Sequence, residues 1–288
     1  MARSAPKADR VHTDPMSRST AFGRAALFLL VTSPIWALRQ ASVWFHPAAL
    51  FALTLAITLL FLWWDRRSPD VLGLDARPRR LAELALGFVA GALLIGVMAL
   101  ALSAVLPYPW RRNEGFSAGL AAWSLLYLLL TNGVEELAFR GYGFERLIAA
   151  IGHWPAQIAI ALLSAVFHVL HGWTWEIALV ATTLGSILFG LVFVRWRSVP
   201  AALGVHVAMN WMRDLLLTDP PTGKTFFAPF SVRRWMPLEE FTAKIVVNGV
   251  VFLACVAMAV VVHRHRRAER AIGAPRSARR DAVPSRLP

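Results

Sequence analysis

The sequence has few charged residues and almost no cysteine, and both shortages exclude whole classes of protein. Only 16% of the 288 residues are charged, whereas 57% are hydrophobic and the mean hydropathy is +0.53. Soluble globular domains carry about 25% charged residues, so a chain this apolar is expected to be an integral membrane protein. The single cysteine, Cys255, lies in an apolar run over 246–262 and cannot form an intrachain disulfide, so we expect a structural role for it.

Acidic residues are scarce relative to basic ones, with 17 Asp and Glu against 30 Lys and Arg. In a soluble protein this excess would suggest nucleic acid as a partner. Here, however, most basic residues lie before Phe28, between 65 and 80, or after His263, where they flank apolar runs. Cytoplasmic loops of membrane proteins show this distribution. The charge therefore predicts a bilayer environment and no nucleic-acid partner.

The apolar segments predict an all-α fold, a polytopic transmembrane helix bundle of about eight spans. A spanning helix needs about 20 mostly apolar residues. Suitable segments occur at 25–38, 48–64, 81–106, 117–140, 155–171, 176–194, 199–217 and 242–262. With this number of spans, both termini are cytoplasmic and the basic flanks lie on one side. The region 134–154 is left open, because Asn132-Gly133 could interrupt one helix there.

The chain divides into five predicted regions. The two ends are rich in Arg, Ser and Pro without periodicity, which is typical of disordered tails. We predict a disordered basic tail over 1–22, accessory transmembrane helices over 23–110, catalytic core helices over 111–217, a loop and final transmembrane helix over 218–267, and a second disordered basic tail over 268–288.

Three polar clusters interrupt the apolar segments, where an ionised side chain near the bilayer centre costs about 2.5–3.5 kcal/mol. They are Glu135-Glu136 with Arg140, His168 with His171, and His206 with Asn210. Glu136 and Arg140 are four residues apart on one helix face, so we expect an ion pair between them. Glu135 is rotated away by about 100° on the same helix. His206 and Asn210 are also four apart and share a face.

Each cluster also has a structural interpretation. The two glutamates with Arg140 would form an interfacial salt bridge, His171 would be an ordinary interfacial histidine, and His206 with Asn210 would join helices by hydrogen bonds. The alternative function is therefore a non-catalytic polytopic membrane protein, a transporter or an immunity scaffold, that uses the cluster for binding or packing. Among other protease types, no HExxH zinc motif occurs, and Ser186 has no evident base on its own helix.

In order and spacing, the clusters resemble the CPBP intramembrane proteases, which include CAAX prenyl endopeptidases and bacteriocin-processing or Abi proteins. The family pattern EExxxR, FxxxH and HxxxN corresponds to Glu135 to Arg140, Phe167 to His171, and His206 to Asn210. The resemblance covers about 115–217 and implies hydrolysis of a peptide bond in a membrane-associated protein or peptide substrate.

The resemblance also implies a role for each matched residue. Glu135 would activate water and His171 would help to hold it. His206 and Asn210 would stabilise the oxyanion, while Glu136, Arg140 and Phe167 would support the site. His168 matches no family position, so we expect it to be structural. The Ala-, Leu- and Arg-rich composition favours the inner membrane of a bacterium as the location.

Two questions stay open at this stage. Either Glu135, His171 and His206 hold a divalent metal such as zinc, or no metal is required and the glutamate activates water directly. In addition, if 117–140 and 155–171 run in opposite directions, Glu135 and His171 lie near opposite membrane faces. A half-spanning or tilted segment over 141–154 would bring them together, since irregular backbone is tolerated where protein buries it.

Overall fold

The described chain is almost entirely helical. The computed structural model describes residues 16–41, 47–106, 110–217, 222–229 and 236–273. The helices are α1 (Arg18–Ala41), α2 (Pro47–Trp64), α3 (Pro78–Val105), α4 (Ala118–Arg140), α5 (Tyr142–Ile151), α6 (His153–Leu170), α7 (Trp175–Ile177), α8 (Thr183–Trp196), α9 (Val199–Leu216) and α10 (Pro237–Gly273). A 3-10 turn (Pro69–Leu72) precedes α3, and a π-helical turn (Ala178–Thr182) joins α7 to α8. Strands β1 (Trp110–Arg112) and β2 (Phe227–Pro229) pair antiparallel.

The helices confirm the predicted all-α membrane bundle. Within the described ranges, five segments are long and apolar enough to cross a bilayer by length and composition: α2, α3, α6, the continuous segment Trp175–Trp196, and α10 over Pro237–Glu269. Helices α1, α4 and α9 have 24, 23 and 18 residues, but they do not meet that criterion. Every predicted apolar segment therefore coincides with a long helix, while the number of crossings stays approximate.

Both terminal helices extend into the predicted disordered tails. Helix α1 begins at Arg18 rather than near residue 25, because the Ser17 hydroxyl accepts a hydrogen bond from the Thr20 amide (3.1 Å) and caps the helix. Helix α10 continues to Gly273, and His265 Nε2 lies 3.2 Å from Glu269 Oε1, one turn further along it. Residues 18–22 and 268–273 of the two predicted tails are thus helical, and residues 1–15 and 274–288 lie outside the described residues.

Helix α4 is not interrupted at Asn132-Gly133. A side chain at Gly133 would meet the ring of Phe51, so this glycine permits close packing on α2.

Helix α4 ends instead at Gly141, and α5 follows with only 10 residues. The rings of Phe139 and Phe167 lie 5.9 Å apart, so the C-terminal ends of α4 and α6 are at a similar level. The short α5 therefore resolves the conflict over opposite membrane faces.

Helix α9, which carries His206 and Asn210, is held along α3 by the most extensive helix contact in the described chain. A Cβ atom at Gly87 would collide with the carbonyl of Ala201, and one at Gly204 would collide with the carbonyl of Leu84. Small residues let two membrane helices approach to backbone contact. The two helices therefore form one rigid unit that fixes the depth of His206.

The start of α9 is also tied to the start of α3 by polar contacts. The Ser198 hydroxyl caps α9 at the Ala201 amide (3.3 Å) and donates to Glu83 Oε2 (2.6 Å). Arg80 donates to the same carboxylate (2.8 Å) and to Asp75 Oδ2 (2.7 Å). The hydrogen bond from Arg80 lowers the pKa of the Asp75 carboxyl group, so Asp75 stays ionised and keeps the connector beside both helices.

Candidate active site

Each of the three predicted polar clusters contributes residues to the wall of one cavity of about 530 Å³. Its wall combines residues from α3, α4, α6, α8, α9 and α10, and many of them are apolar. The polar side chains on the wall are Thr131, Asn132, Glu135, Arg140, Ser164, His168, Thr182, Ser186, His206, Asn210, Arg213 and Asn248. A mostly apolar cavity of this size with a few convergent polar groups is the usual form of a ligand or active site.

Glu136 lies at the centre of a buried charge network. Its Oε1 atom accepts a hydrogen bond from His206 Nδ1 (2.8 Å) and another from Arg140 Nη1 (3.2 Å). Glu136 has no exposed surface, and Arg140 is 2% exposed. The predicted Glu136–Arg140 ion pair is therefore present. The hydrogen bond from His206 Nδ1 to Glu136 also fixes the orientation of the imidazole ring. Nε2 then lies on the opposite edge of the ring, away from Glu136.

Glu135 faces that opposite edge of His206. Its Oε2 atom lies 3.9 Å from His206 Nε2, and both residues line the cavity although they are only 5% and 8% exposed. This distance is too long for a direct hydrogen bond but short enough for one water to bond both atoms. Phe189 stacks on the imidazole at a ring distance of 4.3 Å and limits its rotation. The arrangement can hold a water between a carboxylate and an imidazole.

Sequence reasoning missed a second layer of residues behind this pair. Arg140 Nη2 donates to the Ser186 hydroxyl (2.7 Å) and to the Ser186 carbonyl (3.1 Å). The amide of Gln157 donates to that same carbonyl (3.0 Å), next to Gly190, where any side chain would collide with Gln157. Ser186, which was considered from the sequence as a serine nucleophile without an evident base, therefore binds Arg140. The only sequence signal for Gln157 was a polar residue within an apolar segment.

The two histidines of the second predicted cluster lie at the C-terminal end of α6. His168 lies in the last turn of the helix and on the cavity wall, with Nδ1 bonded to the Ser164 carbonyl (2.8 Å) and the Trp173 ring 5.0 Å away. His171 is the C-cap residue, bonds the Phe167 carbonyl through Nδ1, and is absent from the cavity wall. The helix ends before His171 and turns at Gly172, whose φ is +88°, so only His168 remains on the cavity face.

The predicted site residues are thus only partly brought together. Glu135, His206 and Asn210 share the cavity wall, Glu136 lies behind them, and Arg140 reaches the wall from the same helix. Phe167 packs against Phe139. The catalytic roles of these residues stay predictions, including the role that the family pattern gives to His171.

The described residues do not fit the zinc site considered from the sequence. No three His, Cys, Asp or Glu side chains in the described ranges come together in a way that could hold a metal ion. His206 Nδ1 is bonded to Glu136, which leaves Nε2 as the atom that faces Glu135. With His171 off the cavity wall, the proposed Glu135, His171 and His206 ligand set is not assembled. We therefore derive no step through a metal.

Comparisons with known proteins point in two directions. The chain is 33% identical over 137 residues to the probable potassium transport system protein Kup of Pseudomonas putida strain GB-1, and 32% identical over 136 residues to that of strain W619. Each match covers 46% of this chain but only 20% of the Kup protein. No solved structure matches the chain. Residues 117–212, about a third of the 288, match the model of the family described as type II CAAX prenyl endopeptidase Rce1-like.

Proposed function

We propose that this integral membrane protein is an intramembrane endopeptidase. The premise is that residues 117–212 belong to the family of Rce1-like type II CAAX prenyl endopeptidases. The observation that carries the proposal is the pairing of Glu135 Oε2 with His206 Nε2 across 3.9 Å, on the wall of the cavity. The matched segment contains both residues. A substrate peptide bond that enters this cavity would meet a carboxylate and an imidazole side by side.

In the proposed reaction, the Glu135 carboxylate takes a proton from a water held between it and His206. The water oxygen bonds to the scissile carbonyl carbon, and the carbonyl oxygen becomes an oxyanion. The His206 Nε2–H and the Asn210 amide donate hydrogen bonds to that oxyanion. Glu135 then returns the proton to the amide nitrogen as the C–N bond breaks. The products are a carboxylic acid, which keeps the second proton of the water, and a free amine, so no other reactant is needed.

The geometry favours His168 for the water-holding role that the family pattern gives to His171. His168 lies on the cavity wall together with Glu135 and His206, whereas His171 does not. When the neutral His168 ring carries its proton on Nδ1, it donates that proton to the Ser164 carbonyl. Nε2 is then the ring atom that can accept a hydrogen bond.

The proposed substrate is a membrane-associated protein or peptide. Ile95, Met98 and Leu102 of α3 and Val247 and Val251 of α10 supply apolar wall to the cavity. Such a wall suits an apolar peptide segment or a prenyl chain attached near the cleaved bond. We place the protein, as part of the same proposal, in the inner membrane of a bacterium with both termini in the cytoplasm.

The test is the cleavage of a defined peptide by purified full-length protein in proteoliposomes. The substrate is an internally quenched peptide that ends in a farnesylated Cys followed by two aliphatic residues and a variable one, the motif that prenylation enzymes recognise. The same peptide without the farnesyl group serves as the second substrate. We expect Glu135→Gln to lower kcat about 100-fold to 10,000-fold, the range of general base catalysis.

The matched control is Glu114→Gln, which makes the same change at an exposed glutamate outside the cavity. This variant should cleave at the wild-type rate. The proposal fails if the wild-type protein cleaves neither peptide, or if Glu135→Gln keeps the wild-type rate. Cleavage of both peptides at equal rates would keep the protease and reject a requirement for the prenyl group.

Transport is the second candidate, because of the likeness to the probable potassium transport protein Kup. The same proteoliposomes separate the two functions. A transporter would carry potassium across the vesicle membrane and cleave neither peptide, and Glu135→Gln would then alter flux rather than hydrolysis. The matched stretch is one fifth of the Kup protein, so the family match over the cavity residues weighs more.

A further inference from the structure

Asn132 is a polar side chain of the cavity that no motif includes. It lies on α4, three residues before Glu135, and residues three apart on a helix share a face. The side chain lines the cavity with Glu135, His206 and Asn210, yet it is only 2% exposed. Helix α4 thus presents an amide one turn away from the carboxylate that activates water in the proposed function.

The amide nitrogen of Asn132 has no hydrogen-bond partner among the residues that the structure describes. Glu136 lies four residues further along the helix, and its Oε2 atom is also without a partner there, so the two groups do not bond each other. A buried donor left in this way destabilises the fold. Most such donors in proteins are paired, and the exceptions call for a specific reason.

We infer that the Asn132 amide donates a hydrogen bond to the oxyanion formed at the scissile carbonyl, together with Asn210 and His206. This role rests on the proposed function and extends it by a catalytic residue. Donors that stabilise an oxyanion must be fixed in place before the reaction and must be unpaired until the charge develops. Burial fixes the Asn132 side chain, which lines the cavity, and its nitrogen has no hydrogen-bond partner among the described residues. It therefore meets both conditions.

The test is Asn132→Leu, which keeps the size of the side chain and removes the donor. We expect kcat for the farnesylated quenched peptide to fall about 100-fold to 1,000-fold, as for other single oxyanion donors. KM should change by less than about threefold, because the bond forms only as charge develops. Thermal stability should stay at the wild-type level or rise, since the substitution removes a buried unpaired donor.

The control is Thr58→Val, a substitution of similar shape at a buried polar residue of α2 outside the cavity, whose hydroxyl donates to the Thr54 carbonyl (2.8 Å). This variant should keep the wild-type kcat. The inference is overturned if Asn132→Leu keeps the wild-type kcat, or if its loss of activity follows a loss of thermal stability. If Glu135→Gln abolishes cleavage while Asn132→Leu does not, the proposed function survives and only the role of Asn132 fails.

Discussion

Glu136 and Glu135 are neighbours in the chain, but the structure predicts that a change to glutamine costs much more stability at Glu136 than at Glu135. Glu136 has no exposed surface and accepts hydrogen bonds from both Arg140 and His206 on one oxygen. Glu136→Gln removes the charge that compensates the buried guanidinium. Arg140 is then left with its two bonds to Ser186, which carry no charge.

The size of the effect follows from these contacts. Removal of one partner from a buried ion pair costs about 3–5 kcal/mol, because the other charge stays buried without compensation. Glutamine keeps one acceptor oxygen and Arg140 keeps its bonds to Ser186, so the lower end applies, about 3 kcal/mol. A loss of this size lowers the melting temperature by on the order of 10 °C. Glu135→Gln should cost less stability, since the 3.9 Å contact with His206 is longer than a hydrogen bond.

The single cysteine provides the assay. Cys255 is 6% exposed and packs with its thiol against the Leu184 carbonyl, so a thiol-reactive fluorescent dye labels it only as the bundle opens. Labelling during a temperature ramp in detergent then gives a melting temperature for the wild type and for each variant. The kcat of each variant is measured well below its own melting temperature. At such a temperature, Glu136→Gln should still lose activity, because His206 no longer has its charged Nδ1 partner.

The reasoning would be refuted by a Glu136→Gln variant that melts at the wild-type temperature. It would also fail if Glu135→Gln lost as much stability as Glu136→Gln, because the two carboxylates would then share one structural role. Glu114→Gln, an exposed change of the same kind, sets the baseline for both measurements.

Two further predictions concern α6 and α3. His168→Gln should lower kcat at least 10-fold more than His171→Gln does in the same peptide assay, because His168, unlike His171, lies on the cavity wall. The opposite order would return the water-holding role to His171. Gly87→Ala should cost about 1–3 kcal/mol of stability by forcing α3 away from the Ala201 carbonyl. Gly96 lies on the same helix and has no atom near an added Cβ, so Gly96→Ala should stabilise the protein by about 0.5–1 kcal/mol. Equal melting temperatures for the Gly87→Ala and Gly96→Ala variants would contradict the packing argument.

Much of the fold was predictable because bilayer insertion is governed by local composition. A run of apolar residues long enough to cross the membrane specifies a helix whatever its neighbours are, since the backbone must satisfy its own hydrogen bonds. The polar clusters were found by the same logic, as residues that lipid does not tolerate. The Glu136–Arg140 pair followed from helix geometry alone.

The helix ends were less predictable, because they depend on local competition. The capping hydroxyl of Ser17 starts α1 early, and Asn132-Gly133 does not break α4 because the glycine packs against Phe51. The misplaced interruption matters for function. On the unbroken helix, Asn132 lies on the same face as Glu135 and lines the cavity.

The sequence by itself determined that the chain forms membrane helices and which polar residues they carry, because both properties depend on residues within one turn or one span. Only the tertiary structure decided which of those residues meet. Glu135 faces His206 because small residues let α9 lie against α3 and because Glu136 turns the imidazole. His168 rather than His171 reaches the cavity because α6 ends at Leu170. These outcomes arise from packing between distant segments, which no local pattern encodes.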